Sequence, residues 1–162
     1  MSNPTELEAL IAQLEEQQAR LQFSHFSNDD AWQLGSLLVG LARARGLVLT
    51  VDIRRHGHQL FHAALPGTTA DNDAWIERKI RVVNRYNASS YLVGRRLAVT
   101  GRVLDESSGV EPILYAAHGG CFPIIVRDVG VVGTVTVSGL PQAEDHALVV
   151  EALETFLSQP SS

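Results

Sequence analysis

Apolar residues recur at three- and four-residue intervals in five stretches of the chain, and form short β-branched runs in four others. Asn3, Pro4 and Glu6 have the chemistry of an N-cap, a first helical residue and a capping-box acid, and Leu7, Leu10, Ile11, Leu14 and Leu21 then share one stripe. The spacing predicts a first helix running to about Phe23. A second helix is expected from Ser27, with Asp30 three residues on and Ala31, Leu34, Leu38, Leu41 and Ala42 on one face, to a stop at Gly46. Leu47 to Ile53 and His58 to Leu65, joined at His56-Gly57, predict a β-hairpin. Trp75, Ile76, Lys79, Ile80, Val83 and Tyr86 mark a third helix, and Leu92, Val93 and Leu97 a shorter fourth one capped by Ser89 or Ser90. The polar stretch from Asp105 to Glu111, the apolar Ile113 to Ala117 and then His118-Gly119-Gly120 are expected to form the mobile loop, after which Cys121 to Val126 and Val131 to Val137 predict two strands around a tight turn. A last helix carries Val149, Val150, Leu153 and Phe156, and residues 158–162 are expected to fray. With no internal repeat or long linker, the order ααββααββα predicts one α+β domain over residues 1–162, an antiparallel sheet flanked by helices.

The chain has 162 residues, 45% of them hydrophobic and 19% charged, and a mean hydropathy of +0.04. That composition fits an ordinary globular interior and argues against disordered, fibrous and membrane classes. A single cysteine, Cys121, excludes an internal disulfide. Met1 is followed by Ser, Asn, Pro, Thr and Glu, with no basic start or apolar stretch, so a cytoplasmic location is expected.

The formal net charge of −5 opposes a whole-surface attraction to nucleic acid or anionic lipid, but it is unevenly spread. Seven of the thirteen basic residues lie between Glu77 and Arg102, a window with one acid, so it carries +6 while the rest of the chain carries −11. Arg presents a planar fork suited to carboxylate and phosphate, which makes Arg78, Lys79, Arg95 and Arg96 candidates for holding an anionic small molecule. The same residues would equally serve as a solvated face or pair with acidic helices of a second subunit. The window lacks any aromatic stacking motif, so no nucleic-acid partner is expected.

Other candidates are fewer. His56, His58 and His62 share parity along the hairpin, yet no Cys or carboxylate completes a metal-ligand spacing, and no metal is expected. His118 stands three residues before Cys121 across Gly119 and Gly120, an arrangement of a thiol near a base in which Cys121 reads better as a small residue entering a strand. The paired glycines suggest positive φ or close approach to a ligand. Ser138 and Gly139 lie between a strand and a helix N-terminus, where free N–H groups can hold an anion. No nucleotide-binding glycine motif is present.

Gly119-Gly120-Cys121-Phe122-Pro123-Ile124-Ile125-Val126, followed by Val132-Gly133-Thr134-Val135-Thr136-Val137-Ser138-Gly139, resembles the haem-degrading domain family, also described as haem-binding protein S and GlcG-like. Asp52 to Arg55, Leu65 to Lys79, Ser89-Ser90, Ala116 to Ile124 and Thr136 to His146 are similar to a largely uncharacterised branch of it. The resemblance covers about Asp29 to Leu157. It implies a profilin-like α+β sandwich assembled into symmetric multimers, haem as a candidate cofactor, and, from eukaryotic relatives, a binding role in a tail-anchored-protein chaperone pathway.

Three functions from different classes follow as expectations. A homo-oligomeric binding protein would hold an acidic ligand such as haem with the Arg-rich helices and the His118 loop. An assembly or adaptor protein would use the arginines for protein contacts. An enzyme would use His118 as acid or base beside the anion. The binding protein is the preferred expectation.

Overall fold

The computed structural model describes residues 3–160. The elements are α1 (Pro4–Arg20), α2 (Asn28–Ala44), β1 (Thr50–Arg55), β2 (His58–Ala64), α3 (Ala70–Tyr86), α4 (Ser90–Val99), β3 (Cys121–Val126), β4 (Gly130–Ser138) and α5 (Gln142–Leu157). This is the expected α+β order, with two 3-10 turns, Glu106–Ser108 and Pro112–Leu114, between α4 and β3. The four strands form one antiparallel sheet in the order β2-β1-β4-β3. No helix among the described residues is long and apolar enough to cross a membrane.

Side chains alternate along the strands, so the sheet has two chemically different faces. Val51, Ile53, Val135, Val137, Phe122 and Ile124 pack with α2 and α5 into the main core. Each such fully buried side chain contributes about 1.5–3 kcal/mol. The opposite face carries Thr50, Asp52, Thr134, Thr136 and Cys121, all buried, and α3 lies across it. Only a small apolar cluster of Ile76, Ile80, Val83 and Cys121 forms there. Polar contacts supplement it: Arg54 bridges Asp52 and Glu77, and Gln59 Nε2 donates to Asp52 Oδ2 at 2.6 Å. Beside this layer α4 packs against α1 through Leu14, Leu92 and Val93.

Local signals account for most boundaries. Ser27 and Asp30 form a reciprocal capping box at α2, Thr69 and Asn72 another at α3, and Ser89 caps α4. The His56-Gly57 turn joins β1 and β2 with positive φ at both residues. Pro141 serves as the N-cap of α5.

Four expectations are corrected. Helix α1 ends at Arg20 and not near Phe23, because the following residues leave it to cover the edge of β3. The Phe23 amide donates to Ile125 O at 2.7 Å, and its buried ring lies 5.0 Å from that of Phe26 and 5.8 Å from that of Phe156. Strand β1 begins at Thr50, opposite Ser138, not at Leu47. His58 and His62 occupy opposite faces of the hairpin, since a bulge shifts the register between Ile53 and Arg54: His62 pairs with Asp52 but His58 with Arg55. Finally, the 105–120 stretch is tied down, with Arg81 Nη1 donating to Leu114 O at 3.0 Å and Arg78 Nη2 to Tyr115 O at 3.2 Å. At the C-terminus Ser158 caps α5 and the Gln159 amide donates to Phe156 O, while Ser161 and Ser162 lie outside the described residues.

Candidate functional site

Helix α3 presents Trp75, Arg78 and Lys79 toward the chain that descends from Tyr115 to Gly120. Three close approaches fix that descent. Gly94 of α4 lies against the Ala117 carbonyl so closely that a Cβ there would overlap it, and Gly119 does the same against the Gln142 carbonyl. Gly120 has φ +135°, with Val137 O and Lys79 Nζ where a Cβ would stand. The Gly119 amide also donates to Gln142 Oε1 at 3.1 Å. His118 is therefore held at one place while its imidazole remains exposed.

That imidazole forms a wall shared by two clefts. One, about 290 Å³, contains Trp75, Lys79, Gly119, Ser138, Gly139 and Asp145. The other, about 340 Å³, contains Arg95, Arg102, Leu97, Leu104 and Tyr115. The Trp75 and His118 ring centroids are 5.5 Å apart. Partial burial, then Lys79, Arg78 and Arg95, lower the His118 pKa below its ordinary value, leaving neutral imidazole at neutral pH. Neutral imidazole can accept a proton or coordinate a metal centre.

The basic residues predicted from the sequence divide among different tasks. Lys79 is buried, and its Nζ donates to Asp145 Oδ2 and Val137 O, both at 3.1 Å. Burial pushes the Asp145 carboxyl above its usual range against the opposing pull of Lys79. Arg78 stacks on Trp75 at 4.6 Å and braces the loop through Tyr115 O. Arg95 lines the second cleft, its guanidinium 5.5 Å from the Tyr91 ring centroid. Among the described residues, the buried Nε atoms of Arg78 and Arg95 have no hydrogen-bond partner. Arg96 does not join them: one residue further around α4, it lines neither cleft beside His118 and lies 3.8 Å from Glu15.

Ser138 and Gly139 do reach the first cleft, but the helix terminus beside them already holds an anion of the protein's own. Asp145 Oδ1 accepts from the Leu140 amide at 2.9 Å. Cys121 is fully buried with its thiol pushed up to about 12, a state that disfavours the thiolate a nucleophile requires. The described residues contain no cluster of three or more His, Cys, Asp or Glu able to hold a metal ion. Trp75, Gln142 and Asp145 belong to the site; the sequence offered them only within the segments Leu65 to Lys79 and Thr136 to His146 that carry the family resemblance, and not as site residues.

Fold and cleft define an α+β protein with a pair of surface clefts that share one histidine, and comparison with known proteins places it more closely. The family described as haem degrading protein HbpS-like matches residues 26–154, and the chain belongs to that family. A UPF0303 protein of Streptomyces avermitilis is 64% identical over 94% of this chain and 93% of its own. Among solved structures, the crystal structure of the Ybr137w protein superposes with a TM-score of 0.86 at 29% identity, covering 98% of this chain and 99% of that one. A PduOC:heme complex superposes with a TM-score of 0.66 at 18% identity, covering 80% of this chain and 93% of that one, a likeness of fold.

Proposed function

We propose that this protein is a binding module that holds an acidic small molecule across His118, with haem as the candidate ligand, and that it acts without catalysis. The observation that carries the proposal is the position of His118, a neutral imidazole shared by two clefts of opposite character. The Trp75 cleft holds Asp71 and Asp145 against Lys79, whereas the Arg95 cleft holds two arginines and no acid. Acidic groups of a ligand belong on the Arg95 and Arg102 side, and its flat apolar or metal-bearing part against His118 and Trp75. Family membership and the fold shared with a haem complex support haem in particular.

The donor set fits such a group: one neutral imidazole for iron, guanidinium groups for propionates, and aromatic side chains at Trp75 and Tyr115. Bound there, haem would supply an iron centre capable of redox or ligand-binding chemistry. The chain's own residues bind and orient. His118 offers the ligand nitrogen, Arg95 neutralises carboxylate, and the Gly119–Gln142 contact keeps the loop in register. Native mass spectrometry of protein purified from cells tests the proposal, which expects a retained ligand of defined mass; a ligand-free mass after supplementation with haem counts against it.

A second function, a homo-oligomeric assembly or adaptor protein, is favoured by one observation. Trp32 is 65% exposed on α2 and packs edge-on against Phe61 of β2, an edge strand with no further strand beside it among the described residues. Light scattering that gives a multiple of 17.6 kDa supports assembly, and a monomer at micromolar concentration removes it.

A further inference from the structure

Adjoining the Arg95 cleft along α4, but without His118 in its lining, a further groove of about 450 Å³ opens between the helix and the chain that follows it. Its origin is local. Gly101 adopts φ +65°, and the Arg102 amide donates back to Leu97 O at 2.9 Å, so the next residues run back along the helix they have just left. Val93, Leu97, Leu104 and the Tyr86 ring form the apolar surface, and Arg96 and Arg102 stand over it. Arg102 has no salt-bridge partner among the described residues. The single ion pair of Arg96, to Glu15, is long and half-exposed on both sides, a geometry that contributes little. The acid nearest Arg102 in sequence, Asp105, is bonded by the Ser107 amide and hydroxyl and meets Arg102 only through space, without a salt bridge.

An apolar trough under two under-neutralised guanidinium groups has a definite complement. We infer that the groove between α4 and residues 101–108 is a second binding site, for a small amphipathic acid: one carboxylate or sulfonate on an aliphatic or aromatic body. The acidic group meets Arg96 and Arg102, and the body covers Leu97 and Leu104. Arg102, Leu97 and Leu104 also border the Arg95 cleft, but Arg96 and Tyr86 belong to this groove and not to the clefts that flank His118. That difference separates the two sites experimentally.

Fluorescence titration with anilinonaphthalene sulfonate, displaced by decanoate, tests the inference on the intact chain. The wild type should bind one probe molecule saturably, and decanoate should displace it far better than decanol. Arg96→Gln should weaken both ligands by about tenfold, the size of one lost charge-assisted contact, and Arg96→Glu by more. His118→Ala should leave both affinities unchanged. Equal affinity in wild type and Arg96→Glu, or equal displacement by decanoate and decanol, would overturn it. A loss seen only in His118→Ala would assign the probe to the His118 clefts and overturn the second site while leaving the first intact.

Discussion

Lys79 and Asp145 form an ion pair of 3.1 Å with both side chains buried, joining the middle of α3 to the first turn of α5 at the floor of the Trp75 cleft. A buried pair of this kind gains little over an apolar one but is costly to break, because the survivor keeps its charge without a partner. Lys79→Met should therefore destabilise the fold by about 3 kcal/mol or more. Lys79→Met/Asp145→Leu should recover a large part of that loss. Chemical denaturation of the two variants checks both statements.

His146 sets the acid limit of the fold. It is buried in α5, its ring tilted against that of Tyr91 with centroids 5.0 Å apart, with Nε2 at 2.9 Å from Gln17 Oε1 of α1 and Nδ1 without a partner among the described residues. Burial lowers its pKa from 6.5 to about 4. Between those values the unfolded chain takes up a proton that the folded chain refuses, so stability falls as pH drops from 6.5 toward 4 and then levels. The full effect is about 3 kcal/mol. His118, also lowered, acts in the same direction. Denaturation midpoints at pH 7 and pH 5 should differ in wild type and converge in His146→Leu/Gln17→Leu.

Cys121 should be inert in the folded protein, since a fully buried thiol pushed up to about 12 supplies almost no thiolate. Iodoacetamide at pH 8 is expected to leave the native chain unmodified and to alkylate it in urea. Rapid native alkylation would restore Cys121 as a nucleophile candidate.

Gly94→Ala should disturb the His118 loop from a distance. The added methyl group would overlap the Ala117 carbonyl, forcing α4 and the loop apart. A destabilisation of about 2 kcal/mol is expected, together with weaker ligand binding at His118. Gly40→Ala, a helical position with open space around it, serves as the control.

Elements with their own punctuation could be read in advance. The capping pairs Ser27–Asp30 and Thr69–Asn72 and the His56-Gly57 turn are local, and local interactions are written in adjacent residues. The departure of Phe23 from α1 was not legible, because its partners are Ile125 and Phe156, more than one hundred positions away. The site divides in the same way. His118 and its glycines announced themselves by type and spacing, but Arg95 and Arg96, neighbours in sequence, lie about 100° apart around α4 and serve different surfaces. Charge density could identify the basic window, yet only packing shows that Lys79 is already neutralised and that the α5 terminus already holds Asp145.

The most direct measurement is a titration of wild type and His118→Ala with haem, following the Soret band. Wild type should give a saturable shift, and His118→Ala should lose that shift and bind at least about tenfold more weakly, the loss expected when a ligating imidazole is removed. An identical spectrum and affinity in His118→Ala, or no binding by wild type, would contradict a ligand held across His118.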